Sequence, residues 1–402
     1  MFFSFHSVVL AIASAMLLAA CSNGIFQSSG GGSNPDPIVA GFPNSTVLAI
    51  AVNSANGDVY VGGQFTSIGS FDSPYIARYL SSGHLDANFV RGSGFNGQVL
   101  SLLLTNDQLY VGGSFTNYNG GGGSGVTRLT LDGALDTAYN PSASNFNSDV
   151  LSIKPSRGPS NRLLVVGAFT TYAGIQNLRA LRLHTDGALD TGYGPVGVGF
   201  DGTVRDIAQG GQAPFPIIAV GDFNSYDSVP FDYITFLQTN GQIDPGFSTV
   251  NQFDAQANAV EWFQNDVFFV VGNFDDFNSA STIKIAGITA SGGNAVPFAS
   301  GPNATVRSLA VSTGGNLYIG GDFTNLNTDV PQYAAAVNTN GFIVGNFLTN
   351  VGFNLPVEAA AATSDQKAYF GGQFTTFGTF PVAHFARLGT DGKLDSTFPL
   401  QP

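Results

Sequence analysis

The tripeptide Gly-x-Phe, preceded by a short apolar run, occurs seven times at nearly even spacing. The copies are Gly63-Gln64-Phe65, Gly113-Ser114-Phe115, Gly167-Ala168-Phe169, Gly221-Asp222-Phe223, Gly272-Asn273-Phe274, Gly321-Asp322-Phe323 and Gly372-Gln373-Phe374. Successive phenylalanines lie 50, 54, 54, 51, 49 and 51 residues apart, so one structural unit has been copied with little drift. A repeat of about fifty residues defines a propeller or a solenoid array, because one such unit cannot bury its apolar face alone.

Each unit reads as four strands. An apolar run such as Val47 to Val52 leads to a polar turn such as Asn56-Gly57, whose chemistry closes a hairpin. The second strand, Asp58 to Phe65 in the first unit, carries the Gly-x-Phe signature. A third strand follows at Tyr75 to Leu80 and a short fourth at Leu85 to Phe89. No segment shows a helical period. The expected fold is therefore all-β, a seven-bladed β-propeller of four-stranded antiparallel blades around a channel. An open β-solenoid or two smaller arrays are the alternatives, although no repeat is polar enough to cap a solenoid end. Where the signature is doubled, as in Gly62-Gly63, the missing Cβ atoms let neighbouring sheets approach while Phe fills the gap between them. A second motif, including Gly94-Phe95-Asn96-Gly97 and Gly199-Phe200-Asp201-Gly202, precedes the first strand of most units.

The N-terminus has a different character. Val8 to Ala20 is an apolar stretch of 13 residues, too short to span a bilayer and suited to a signal-peptide core. Leu18-Ala19-Ala20-Cys21 ends it, and Cys21 is the sole cysteine. This resembles the lipobox of bacterial lipoproteins, with the departure that no Lys or Arg precedes the apolar run. The resemblance implies a lipoprotein signal peptide at 1–20 and lipidation of Cys21, with several acyl chains, palmitate among them, giving a stable membrane anchor. Ser22 after the cysteine implies sorting to the outer membrane, facing the periplasm or the surface. Residues 21–37 read as the lipidated Cys and a flexible Gly/Ser/Pro linker, and residues 38–402 as the propeller.

Composition narrows the partners. A net charge of −13 with four Lys and ten scattered Arg leaves no basic patch for nucleic acid. Without cysteines beyond residue 21, apolar burial must hold the fold.

Within the repeats, Gly112-Gly113-Ser114-Phe115-Thr116, then Arg128-Leu129, then Asp132-Gly133-Ala134-Leu135-Asp136 and Tyr139 resemble the bacterial delta-60 repeat. The likeness runs over nearly everything after the linker and weakens in units four to six. It implies a propeller-like architecture and an exported bacterial setting, and no defined activity.

Two charge patterns stand out. Arg78, Arg128, Arg182 and Arg387 each lie eight residues before Asp86, Asp136, Asp190 and Asp395. Units five and six lack both partners, and unit four keeps Asp244 but has Phe236 in the Arg place. Loss in pairs predicts structural ion pairs pinning the fourth strand. The second pattern concerns the residue after the first valine of each leading strand: Leu48, Leu100 and Leu151, then Arg205, Glu261, Arg307 and Glu358. Glu261 and Glu358 are the only glutamates. An alternating arc of charge beside an apolar arc, with Asp206 and Trp262 alongside, predicts a ligand-binding mouth of the channel. Inter-blade salt bridging is the plainer reading of the same residues.

Machinery for catalysis is not marked out. His84, His184 and His384 occupy unrelated repeat positions, and no nucleophile elbow or zinc-binding helix accompanies them. No metal or cofactor is expected; the oxygen-rich loop Asp275-Asp276 with Asn278 reads as a solvated turn before it reads as a calcium site. The leading expectation is a lipid-anchored binding or scaffolding module for protein or glycan partners. The alternative is a polysaccharide hydrolase or lyase using carboxylates near the channel mouth, which needs two carboxylates about 5–10 Å apart.

Overall fold

Val47–Val52 pairs antiparallel with Val59–Gly63, which pairs in turn with Ile76–Tyr79, and this three-stranded meander is the repeated sheet. The computed structural model describes residues 41–398, apart from 90–91, 140–145, 158–161, 177–178, 195–197, 248–251, 265–266, 297, 299–300, 328, 346 and 348–350. The expected signal peptide at 1–20, Cys21 and the linker to residue 37 lie outside the described residues. Seven such sheets follow one another, led by Val47–Val52, Val99–Thr105, Val150–Ser156, Val204–Gln209, Ala257–Trp262, Val306–Val311 and Val357–Ala362. All strand pairs are antiparallel, no α-helix occurs among the described residues, and residues 38–402 form one compact unit. The molecule is an all-β propeller.

The fourth segment is shorter than its sequence suggests. A full fourth strand, Asn294–Val296, is present in the fifth sheet. Elsewhere a single bridge holds it, such as Tyr79 to Leu85, Leu129 to Leu135 or Leu388 to Leu394. The cause is local: the Asp86 side chain accepts from the Asn88 backbone N–H at 2.9 Å and turns the chain away from the ladder. Asp136, Asp190, Asp244 and Asp395 do the same two residues on. A small hairpin between the second and third strands, for example Ser67–Ile68 with Phe71–Asp72, was not evident in the sequence.

In units one, two, six and seven neighbouring sheets meet at the first of the doubled glycines. A Cβ on Gly62 would lie 2.3 Å from Val99 Cγ1 of the next sheet, and one on Gly320 would lie 2.3 Å from Val357 Cγ1. Where Val220 replaces the first Gly, the following sheet opens on Ala257 in place of Val, and both sit in one apolar cluster. The second Gly faces its own sheet: a Cβ on Gly63 would fall 2.2 Å from the Thr46 carbonyl oxygen, where the leading strand bulges. The phenylalanine of every signature is at most 1% exposed, and burying each contributes roughly 1.5–3 kcal/mol. In five units it packs against the Phe of the preceding motif: Phe95 on Phe115, Phe146 on Phe169, Phe200 on Phe223, Phe253 on Phe274 and Phe353 on Phe374, with centroids 3.9–4.7 Å apart. The polar residue of that motif caps the next turn, as Asn96 Oδ1 does by accepting from the N–H groups of Thr116 and Asn117.

The array closes on itself. Each leading strand packs on the next, and Val357–Ala362 packs on Val47–Val52. A Cβ on Gly371 would meet Val47 Cγ1 at 2.5 Å, repeating the inter-sheet contact seen elsewhere. Tyr79 stacks on Phe385 at 5.1 Å, and Val47, Tyr369, Phe385 and Phe398 share one core cluster. Among the described residues no strand is exchanged between the first and last sheets.

Candidate functional site: the axial channel

The four repeated Arg and Asp residues meet on the outer strands, away from the channel lining. Arg78 Nε donates to Asp86 Oδ2 at 2.6 Å, and Arg128, Arg182 and Arg387 reach Asp136, Asp190 and Asp395 at 2.9, 2.7 and 2.9 Å. Each guanidinium also lies over the fourth-segment aromatic: Phe89, Tyr139, Tyr193 and Phe398. In three of the four the second arm crosses to the following sheet. Nη1 of Arg78, Arg128 and Arg182 donates to the carbonyls of Leu131, Thr185 and Thr239 at 2.6, 2.6 and 2.5 Å. In unit four Phe236 takes the Arg place and stacks on Phe247 at 4.4 Å, an apolar replacement for the same clamp.

The leading strands surround a channel of about 480 Å³. At one mouth the bulged second residues of the strands converge: Leu48, Leu100, Leu151, Arg205, Asn258, Arg307 and Glu358. A bulge re-aims its extra side chain, which suits this position to line an opening. The structure corrects the fifth member. Ala257 pairs with Gly272 as Val204 pairs with Gly221, so Asn258 is the counterpart of Arg205, and Glu261 lies three residues deeper. The apparent Val-x start at Val260-Glu261 is the middle of the strand.

Charges at this mouth are held in pairs. Arg205 Nε donates to Asp222 Oδ1 at 2.9 Å. Arg307 makes a two-pronged contact with Asp322 at 2.8 and 2.9 Å and reaches Glu358 Oε2 at 3.4 Å. Gln373 donates to the other oxygen of Glu358 at 2.7 Å. The Asp322 contact, with help from Glu358, raises the Arg307 pKa further above its usual value, burial opposing it. Asn258 donates to the Val306 carbonyl at 2.8 Å. The result is a rim of amides and paired charges on four units beside leucines on three.

Deeper in, Lys154 supplies a cation that sequence reading did not single out. Its ammonium lies 2.5 Å from Glu261 Oε1 and 3.7 Å from Asp206 Oδ2, so Glu261 pairs with Lys154, not with either channel arginine. Asp206 is only 7% exposed and works in the wall. Its two oxygens accept from the Ser152 hydroxyl at 2.6 Å, the Ile207 N–H at 2.9 Å and the Val260 N–H at 3.0 Å, tying three consecutive sheets. Burial resists the Lys154 charge, yet the two carboxylates outweigh it and hold the ammonium's pKa above its ordinary value. Burial also raises Glu261 above the usual carboxylate range, since one ammonium is shared with Asp206.

Trp262 lies at the far end of its strand, about 13 Å along the channel from the second residue at 3.3 Å per residue. It therefore belongs to the opposite mouth, apart from Arg205, Arg307 and Glu358. There Arg157 lies over the indole at 4.4 Å. The Asp275 loop is occupied by an ammonium: Lys284 Nζ sits 2.7 Å from Asp275 Oδ1, and no cluster of three metal-ligating side chains occurs among the described residues. His84 contacts Ser82 at a turn, and His384 contacts the Gly372 carbonyl beside the Gly-x-Phe bulge.

Fold and channel define a β-propeller whose axial opening carries unit-specific polar residues. Residues 28–178 match a family model described as the Rax2 C-terminal beta propeller domain, and residues 363–398 match a domain of unknown function (DUF5122) beta-propeller. Among solved structures the chain is similar to the WD40 beta propeller domain of Doa1, with 10% identity, a TM-score of 0.55, and coverage of 83% of this chain and 92% of that one. It is also similar to the extracellular domain of the putative hybrid two component system BT4673 from B. thetaiotaomicron, with 12% identity, a TM-score of 0.51, and coverage of 87% of this chain and 39% of that one. No curated protein matches. At these identities the likeness concerns the fold alone.

Proposed function

We propose that the chain is an exported, lipid-anchored propeller of the delta-60 type that acts as a binding or scaffolding module at the outer membrane. Cys21 would carry the anchor, and the mouth formed by Arg205, Asn258, Arg307 and Glu358 beside Leu48, Leu100 and Leu151 would receive a protein or glycan partner. One observation carries the choice of binding over catalysis: each glutamate is already matched to a cation, Glu261 to Lys154 and Glu358 to Arg307. A hydrolase needs one carboxyl free to give a proton and another free to attack or to activate water. Paired charges and amides instead supply fixed donors and acceptors beside an apolar arc of leucines, the makeup of a recognition site.

The test has two arms. Metabolic labelling with radioactive palmitate should mark the wild-type chain and leave Cys21→Ala unlabelled; an unlabelled wild type would refute the anchor. Full-length protein is then exposed to an array of envelope polysaccharides and to cross-linking in intact cells. Capture should fall in Arg307→Ala and Glu358→Gln. Release of reducing ends that disappears in Glu261→Gln or Glu358→Gln would replace this reading with the hydrolase.

A further inference from the structure

The second mouth of the channel holds a feature that the first lacks. Among the described residues Arg78, Arg128, Arg162, Arg182, Arg205, Arg307 and Arg387 contact carboxylates, and Arg179 Nη1 donates to the Phe200 carbonyl at 2.5 Å. The Arg157 guanidinium has no such partner. It is exposed, its backbone N–H is fixed by Gln209 Oε1 at 2.6 Å, and it is stacked on Trp262. The neighbouring acid, Glu261, is already engaged by Lys154. In a chain of net charge −13, an arginine left with its fork of donors open is unusual.

Trp262 is equally out of pattern. The equivalent strand ends carry Val52, Leu104, Pro155, Gln209, Val311 and Ala362. The shielded Nε1 of Trp262 has no hydrogen-bond partner in the protein, which costs stability at a place where valine would not. The indole is also fitted closely: a Cβ on Gly211 would lie 2.4 Å from its Cζ2. Together Arg157 and Trp262 line a cavity of about 390 Å³ with Phe263, Gln264, Val311 and Thr313. Its walls therefore combine a planar cation whose guanidinium has no hydrogen-bond partner among the described residues, a side-chain amide, the hydroxyls of Ser312 and Thr313, and apolar flanks.

We propose that this mouth is a second binding site, for a carboxylate-bearing ligand of monosaccharide size such as a uronate. The carboxylate would meet the open fork of Arg157, which Trp262 holds in place, and hydroxyls would meet Gln264 and Thr313. A free acid sugar and the end of an acidic polysaccharide present the same group, and the experiment separates them. The inference is independent of the mouth at Arg205 and Glu358.

Trp262 is the only tryptophan in the chain, so its fluorescence reports on this site without background from another indole. Full-length protein is titrated with galacturonate, with a galacturonate oligomer and with galactose. Emission should change saturably with the acid sugars and not with galactose. Tighter binding of the oligomer assigns a polysaccharide end; equal binding assigns the free sugar. Arg157→Gln, an exposed position outside the strands, should weaken binding at least tenfold without lowering the unfolding midpoint, whereas Lys393→Ala, in an exposed turn outside both mouths, should bind as wild type. Absence of any emission change, an equal response to galactose, or wild-type affinity in Arg157→Gln would each overturn the proposal. Equal displacement by sulfate would overturn the carboxylate assignment.

Discussion

Charges on the outer strands and charges in the channel obey different rules. The outer pairs recur at the same repeat position, eight residues apart, each under an aromatic, and three reach across to the next sheet. The channel charges vary more from unit to unit: Lys154, Asp206 and Glu261 each appear in one unit. Where units one to three place leucine the later units carry Arg205, Asn258, Arg307 and Glu358, with only the arginine and its signature aspartate recurring, in units four and six. What several units share at one repeat position is what helps a unit stand beside its neighbour. What the repeat varies at one position is free to build a single asymmetric site. Unit four supports the first half, because the outer clamp there is replaced by Phe236 on Phe247 and the sheet still packs.

The sharpest way to break the comparison is at the outer pairs. Arg128→Ala leaves Asp136 without its cation in a half-buried setting and removes the bond to Thr185. It should cost about 3–5 kcal/mol in urea unfolding. A loss under 1 kcal/mol would place these pairs among ordinary surface contacts. Next in size is the closure contact. Gly371→Ala drives a Cβ against Val47 and should cost about 1–3 kcal/mol by overpacking, lowering the thermal midpoint. An unchanged midpoint would mean that the first and last sheets do not bear on each other.

The third prediction concerns acid. Burial opposes the Asp395 charge, but bonds from Thr397 and Lys367, together with Arg387, outweigh it and lower its pKa to about 2. A carboxylate depressed in the folded state stabilises fully above its unfolded pKa near 4, and that contribution is lost as pH falls toward 2. Wild-type stability should therefore drop by up to about 2 kcal/mol over that window from this group, and Asp395→Asn should flatten the slope. Equal slopes would remove Asp395 from the account. The smallest effect belongs to the channel rim. Arg205→Ala, with a side chain 39% exposed, should change stability by less than about 1 kcal/mol. A larger loss would make the rim a structural belt as well.

Much of this organisation was legible in the sequence because it is periodic. Seven Gly-x-Phe signatures announced the sheets, and the joint loss of Arg and Asp in units five and six announced their contact. The fourth segment was over-read as a strand because its alternation looks extended, while the aspartate side chain bends it. Glu261 was placed three residues too shallow because Val260 imitates the first valine, and only the pairing of Ala257 with Gly272 shows the true register. Lys154 escaped notice since its partner Glu261 is 107 residues away. Hidden altogether was the residue before each third strand. Tyr75, Arg179, Tyr233, Lys284, Tyr333 and His384 all adopt φ between 65 and 70°, with Gly125 at 82°. Each gives its N–H to the signature Phe carbonyl, as Tyr75 does to Phe65 at 2.8 Å, so a backbone bond sets the conformation and the side chain leaves no common trace.

The central claim, that copied charges hold the ring while unique charges build its sites, is tested most directly by one paired measurement. Unfolding midpoint and galacturonate-induced Trp262 emission are recorded on the same samples of Arg128→Ala and Arg157→Gln. The account predicts a crossed result: Arg128→Ala loses stability and, while folded, binds as wild type, whereas Arg157→Gln keeps its midpoint and loses binding. A fall in stability in Arg157→Gln with affinity intact would contradict it.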